Sequence, residues 1–190
     1  MSCIGKLTAN IAYDCTPANR AKGGLETSAV LINRADIDWT SVTQSGATVT
    51  NVSLMSGATG YGIEWIKQLG TVGSEVSIND GLDTFTHNFA GRIFGSGADD
   101  AERMKELLEG EYVVIVETKF KGTGNVDAFK VFGLENGLKM SEGTYSSAEN
   151  DGALLFTLAS VENYGESYPF LIWNETNYST TKAKFDNKLS

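Results

Sequence analysis

The sequence predicts a mainly β domain flanked by one helix, and three observations carry that expectation. Apolar and polar residues alternate with a period of two through residues 83–94, 112–120 and 153–161. Twenty-one glycines against two prolines in 190 residues supply the frequent turns that a strand-rich chain needs. Clear helical spacing is confined to residues 100–109, where Ala101, Met104, Leu107 and Leu108 share one face.

Composition sets the outer limits. A chain of 190 residues is long enough to bury roughly 70% of its unfolded surface. With 41% hydrophobic residues it does not have a disordered composition. No long linker or solenoid repeat divides it, so the expectation is a single domain over 1–190 with a polar C-terminal tail from about residue 175. The net charge of −9 gives no global basic field for gripping phosphates, which argues against wrapping DNA. It leaves open a surface past which DNA slides. No charged region leads into an apolar run at the N-terminus, and no 18 consecutive residues are apolar. Neither a signal peptide nor a membrane span is therefore expected.

Leu7, Ala9 and Ile11 alternate as a short first strand, and residues 16–24 read as a loop. Val30, Ile32, Ile37 and Trp39 mark a strand kinked near Asn33 and Arg34. Residues 42–54 alternate Thr, Val, Ser and Asn, the pattern of an exposed sheet face. After a break at residues 56–60, Ile63, Trp65 and Ile66 resume a strand within 61–69, and Val76 and Ile78 mark a short piece among turn residues. Over 83–94, Phe85, His87, Phe89, Gly91 and Ile93 fall on one face of a strand.

The helix follows. Ser96 or Asp99 is positioned to cap it, Glu102 stands in capping-box register with Asp99, and Gly110 offers a left-handed stop. Met104, Leu107 and Leu108 are its expected packing residues, so Leu108→Ala should cost about 2–5 kcal/mol. Residues 112–120 and 126–133 form a hairpin about a turn at 121–125, and Leu154, Phe156 and Leu158 line a third strand. Residues 168–173 make the last strand, with Pro169 near its start, where no ladder bond is lost. Eight to ten strands and one main helix are expected in all.

Chemistry is sparsely signalled, and no catalytic, cofactor-binding or metal-ligating residue is expected. His87 is the lone histidine and sits between phenylalanines, a setting for a sheet or interface residue rather than a general base. Residues 95–97 mimic a phosphate cradle before the helix, but Asp99 and Asp100 would repel phosphate there, so capping explains them better. The aspartates at 80, 83, 99, 100 and 151 do not match a calcium loop. Cys3 and Cys15 cannot build a zinc site with one histidine and read as free, partly buried thiols. Sequons at Asn51, Asn174 and Asn177 read as chance matches in the absence of a signal peptide.

The order strand, helix, strand, hairpin, strand over residues 83–161 resembles the tail tube (major tail) proteins of tailed bacteriophages. Residues 137–140 followed by 152–158 are similar to that family's last strands. The resemblance covers about half the chain and implies a β-sandwich or half-barrel, tail-tube-like, with one flanking α-helix at about residues 99–109. It further implies a homo-oligomer: hexameric rings stacked into a tube, joined by other tail or neck proteins. Double-stranded DNA is a partner only in passage through the channel. The implied location is the virion tail, assembled in the host cytoplasm. An acidic lumen would suit that role because like charge keeps DNA from sticking, and Glu117 and Asp127 are the candidate channel- or solvent-facing acids. Two other classes fit the same pattern. One is another virion part, such as a ring, neck, connector or capsid decoration protein. The other is a carbohydrate-binding β-sandwich with Trp39, Trp65 and Trp173 as stacking platforms, although each tryptophan lies in a context better suited to core or interface packing.

Overall fold

The computed structural model describes residues 7–12, 14, 16–66, 69–78 and 83–189. Its strands are β1 (Leu25–Asn33), β2 (Thr43–Ser45), β3 (Thr48–Asn51), β4 (Tyr61–Glu64), β5 (Thr71–Ser77), β6 (Thr84–Ile93), β7 (Tyr112–Thr118), β8 (Phe129–Phe132), β9 (Leu138–Tyr145), β10 (Leu154–Ser160) and β11 (Leu171–Trp173). Two α-helices accompany them, α1 (Ala98–Glu109) and α2 (Tyr178–Asp186). The protein is mainly β, built on one large mixed sheet.

The eleven strands follow the order β2-β3-β11-β8-β7-β9-β10-β6-β5, with β1 pairing both β7 and β4. The link between β7 and β9 is a single pair, Tyr112 with Leu138. The system therefore falls into two halves, one centred on β7 and the other running β9-β10-β6-β5. β7 explains why both halves are needed. All seven of its residues are buried, which requires cover on both faces.

That cover comes from two hydrophobic cores. On one face Val113 and Ile115 of β7 join Val30 and Ile32 of β1, Phe129 and Val131 of β8, Trp173 of β11, and Phe185 of α2. On the other face Val114 and Val116 meet Ala29 and Leu31 together with Phe89, Leu138, Phe156 and Leu158 from the second half. Strand alternation sorts the two sets, since a one-residue slip of β7 would exchange them.

Several expectations need correction. Residues 7–12 form no strand and are exposed. The C-terminal region is no free polar tail: α2 lies there, with Thr181, Phe185 and Leu189 buried. Asn177 caps it, its side chain accepting from the Thr180 N–H at 3.0 Å. α1 starts at Ala98, and its capping group is Asp100, which accepts from the Gly97 N–H at 3.1 Å. Gly110 is extended (φ −91°) rather than left-handed, and its lack of a side chain has a different cause. A Cβ there would stand 2.1 Å from the Tyr112 hydroxyl, which donates to the Glu106 carbonyl at 2.6 Å. The thiols Cys3 and Cys15, and Asp80, lie outside the described residues.

The helix face is also shifted. Met104 and Leu107 are half-buried against the second core, whereas Leu108 is 64% exposed. α1 lies against β9, where a Cβ on Gly143 would meet the Met104 methyl at 2.8 Å. The cost expected of Leu108→Ala from sequence therefore does not apply. That substitution is now expected to change the urea midpoint by less than the equivalent of about 0.5 kcal/mol, as for other solvent-facing sites. A loss above about 1.5 kcal/mol would place the helix differently on the sheet.

Candidate functional site

The half formed by β5, β6, β10 and β9 has the features of an assembly surface. β6 pairs β5 through residues 84–90 and β10 through residues 88–93, and β10 pairs β9. His87, Phe89 and Gly91 point to the interior, while Thr84, Thr86, Asn88 and Ala90 form a half-exposed opposite face. Registered neighbours extend that face: Thr71 lies beside Ala90, which lies beside Thr157, which lies beside Glu142. Small neutral polar side chains dominate it. Its strand charges are balanced, with Glu75 and Glu142 against Arg92 and Lys139. Among the described residues β5 pairs only β6, so residues 71–76 have no second strand beside them. That edge carries no proline or lysine, and Val76 is 62% exposed.

A buried polar clamp fixes how this sheet meets the rest. The His87 Nδ1 accepts from the Gly133 N–H at 3.1 Å, so its Nε2–H donates to the Tyr168 carbonyl at 2.9 Å. Glu166, whose backbone bridges Phe85 of β6, is buried and accepts from the Glu135 and Asn136 N–H groups at 2.9 and 3.0 Å. These bonds satisfy the amides of the turn from Gly133 to Gly137, where both glycines have positive φ. His87 is thus a positioning residue of the interior. Its own backbone N–H donates to the Ser160 hydroxyl at 2.9 Å, and both ring nitrogens are engaged by main-chain groups.

Burial holds the His87 imidazole below its ordinary 6.5, outweighing the Tyr168 carbonyl and the Glu135 charge, which act upward. The unfolded chain takes up this proton below about 6.5 and the folded chain does not. The stabilising contribution is complete above about 6.5 and is lost as pH falls through the window beneath it. Glu166 has the opposite sign, because burial raises its carboxyl above 4.5. Its contribution is greatest at or below 4.5 and declines as pH rises. His87→Gln is expected to flatten the loss of stability between about pH 6.5 and pH 5, read from urea midpoints. Parallel curves for wild type and variant would show that His87 is not the group responsible.

The residues singled out from sequence are dispersed. Glu117 does not face solvent: it is 4% exposed and bound to Lys121 and Tyr178 at 2.6 and 2.7 Å. A carboxylate enclosed in this way within one chain cannot line a channel. Asp127 is half-buried at the β7–β8 turn, with a Cβ on Gly122 placed 2.0 Å from its Oδ2. Trp65 and Trp173 are core residues, and Trp39 is partly exposed with the Arg34 guanidinium 4.9 Å over its ring. The aromatic platform for a sugar is therefore not assembled. Among the described residues, no group of three or more His, Cys, Asp and Glu is placed to hold a metal ion. Nor, among the described residues, is any helix long and apolar enough to cross a membrane.

The chain matches no protein-family model, no curated protein and no solved structure. Its surface is accordingly the basis for a functional reading. Sequence reasoning found the β6 face by its alternation but missed the β5 edge. The signal was present in Val72, Ser74 and Val76, which alternate among turn residues.

Proposed function

We propose that the chain is a structural subunit that assembles into closed rings, stacked as the tail tube of a tailed bacteriophage. The observation that carries this reading is the β5-β6-β10-β9 sheet, which has a packed inner face and a half-exposed neutral polar face and, among the described residues, no strand beyond residues 71–76 of β5. Joining such a sheet to its copies extends its hydrogen bonding around an axis, and a head-to-tail join that closes gives a ring. A β-sandwich or half-barrel with α1 as its flanking helix is the arrangement that this reading requires. Six subunits per ring, contacts with other tail or neck proteins, and a place in the virion tail belong to the same proposal.

The neutral polar face suits a lumen. Its strand charges cancel, so it offers DNA phosphates no net positive surface from which counterions would be released on binding. The −9 of the chain keeps the particle as a whole repulsive to DNA. Sedimentation velocity and negative-stain microscopy of the full chain, from micromolar to near-millimolar, provide the test. Rings or tubes with a central channel are expected. A sharp monomer of 20.4 kDa throughout would overturn the proposal. So would a map of the ring with a lumen lined mainly by Lys and Arg.

A further inference from the structure

We propose that His87 is an acid-operated latch on the turn at residues 133–137, the hinge between the two halves of the sheet. The latch is a property of the single chain and acts whether or not copies form rings.

The turn is placed to act as a hinge. It carries the chain from β8 of the first half directly into β9 of the second. The strand ladders of the two halves meet beside it in one pair, Tyr112 with Leu138. Three of its amides are held by side chains from outside the turn. The Gly133 N–H donates to the imidazole of His87 on β6, and the Glu135 and Asn136 N–H groups donate to the Glu166 carboxylate. Leu134 seats the turn in the first core, and the Gly137 N–H returns to the Gly133 carbonyl at 3.0 Å.

The closed latch accepts one protonation state only. Nδ1 receives the Gly133 N–H while Nε2–H donates to the Tyr168 carbonyl, so the neutral ring satisfies both main-chain groups. A further proton must enter at Nδ1, the ring nitrogen that holds the lone pair. It would set one N–H against another and leave the Gly133 amide buried beside a charge without an acceptor. Flipping the ring repairs nothing, because an imidazolium has no acceptor to offer. The proton is therefore taken up when the turn moves away and water reaches the ring.

The surroundings do not hold a proton on the closed ring. Glu135 and Glu166 face the clamp, the Arg34 guanidinium donates to the Glu135 carbonyl, and Glu111 stands with Arg34 against Gly137. Lys139 lies 3.9 Å from Glu111. β5 and β10 bring serines, Ser74 in register with His87 and Ser160 accepting its N–H, and the Tyr168 ring packs on the first core. Both ring nitrogens face main-chain groups, so neither is bonded to a carboxylate, and burial keeps the imidazole neutral. The open form binds this proton below about 6.5 and the closed form does not, so falling pH favours opening. Glu166 acts in the opposite sense, because burial raises its carboxyl and the closed turn retains that proton.

Magnitude decides how far the response goes. One proton multiplies the opening equilibrium by at most about tenfold per pH unit. The second core spans both halves, from Val114 and Val116 to Phe89 and Phe156, and remains packed. The response is thus a local release of the hinge, not separation of the halves.

Hydrogen exchange of the full chain from about pH 7.5 to about pH 5, corrected for the intrinsic pH dependence of exchange, provides the test. In wild type, opening of residues 133–137 is expected to rise by up to about tenfold for each pH unit below about 6.5, while residues 112–118 keep their protection. His87→Gln offers a neutral acceptor and donor in place of the ring and should abolish the rise. His87 is the only histidine, so an isotope label in histidine reads its titration without any substitution. Its midpoint is expected below 6.5. A flat profile in wild type, an equal rise in His87→Gln, or parallel acceleration of residues 112–118 would each overturn the proposal. A histidine midpoint at or above 6.5 would overturn it even if the variant failed to fold.

Discussion

Phe129→Ala is expected to destabilise the protein by about 3–5 kcal/mol, read from the urea midpoint at constant slope. Phe129 is 1% exposed and stands where three elements meet. Its ring lies 5.8 Å from Trp173 in an edge arrangement, 5.8 Å from Tyr178 in a stack, and 5.1 Å from Phe185. Removal of the ring thus takes away apolar burial and three aromatic contacts, and leaves a cavity between β11 and α2. The surrounding groups are themselves held by strands and a capped helix, so collapse into the space is limited. Against a total of about 5–15 kcal/mol for a typical domain, the variant would be marginal at physiological temperature. Phe129→Leu, which keeps most of the volume, should lose about half as much. A loss below about 1 kcal/mol for the alanine variant would mean that α2 is not seated on β8 as described.

The centre of the fold was legible because local pattern and burial agree there. The alternation of β6 separates His87, Phe89 and Gly91 from Thr84, Thr86 and Asn88, and the observed burial follows it. β7 was legible as a strand, but not as one buried on both faces. Its Glu117 read as solvent-facing because nothing local indicates that α2 will bring Tyr178 and Lys182 against it. α2 itself was obscured by composition. Ser179, Thr180 and Thr181 are weak helix formers, and Tyr178, Thr181 and Phe185 make a narrow apolar stripe. The signals that were present were Asn177 as a cap and the spacing of three and four between those residues. Leu108 was misplaced for a related reason: the helical period defines a face but not where that face is centred. The assembly surface was half legible. Period-two alternation found the sheet face, whereas free edges depend on which strands pair, and pairing between distant segments leaves no local mark.

Glu117→Ala is expected to cost about 2–3 kcal/mol and to loosen α2 before the rest of the chain. The buried carboxylate joins β7 to α2 through the Tyr178 hydroxyl at 2.7 Å, and it holds the Lys121 ammonium at 2.6 Å with Lys182 at 3.7 Å. Removing one partner of a buried pair leaves the other desolvated and unpaired, which is the costly direction. The two lysines remain 26% and 32% exposed, so water recovers part of the loss and the value falls below that of a fully enclosed pair. Burial alone would depress the Lys121 pKa, but the hydrogen bond and charge of Glu117 outweigh it and hold the ammonium above its ordinary 10.5. That contribution is therefore present below about pH 10.5 and is lost as pH rises through the folded value. Glu117→Gln keeps an acceptor for Tyr178 and removes the charge, so it should lose less at neutral pH and bring the alkaline loss to lower pH. Hydrogen exchange separates the local effect from the global one. In the alanine variant the amides of residues 178–186 should exchange faster while those of β7 remain protected. Equal acceleration in both would show that Glu117 supports the whole sheet rather than the seat of α2.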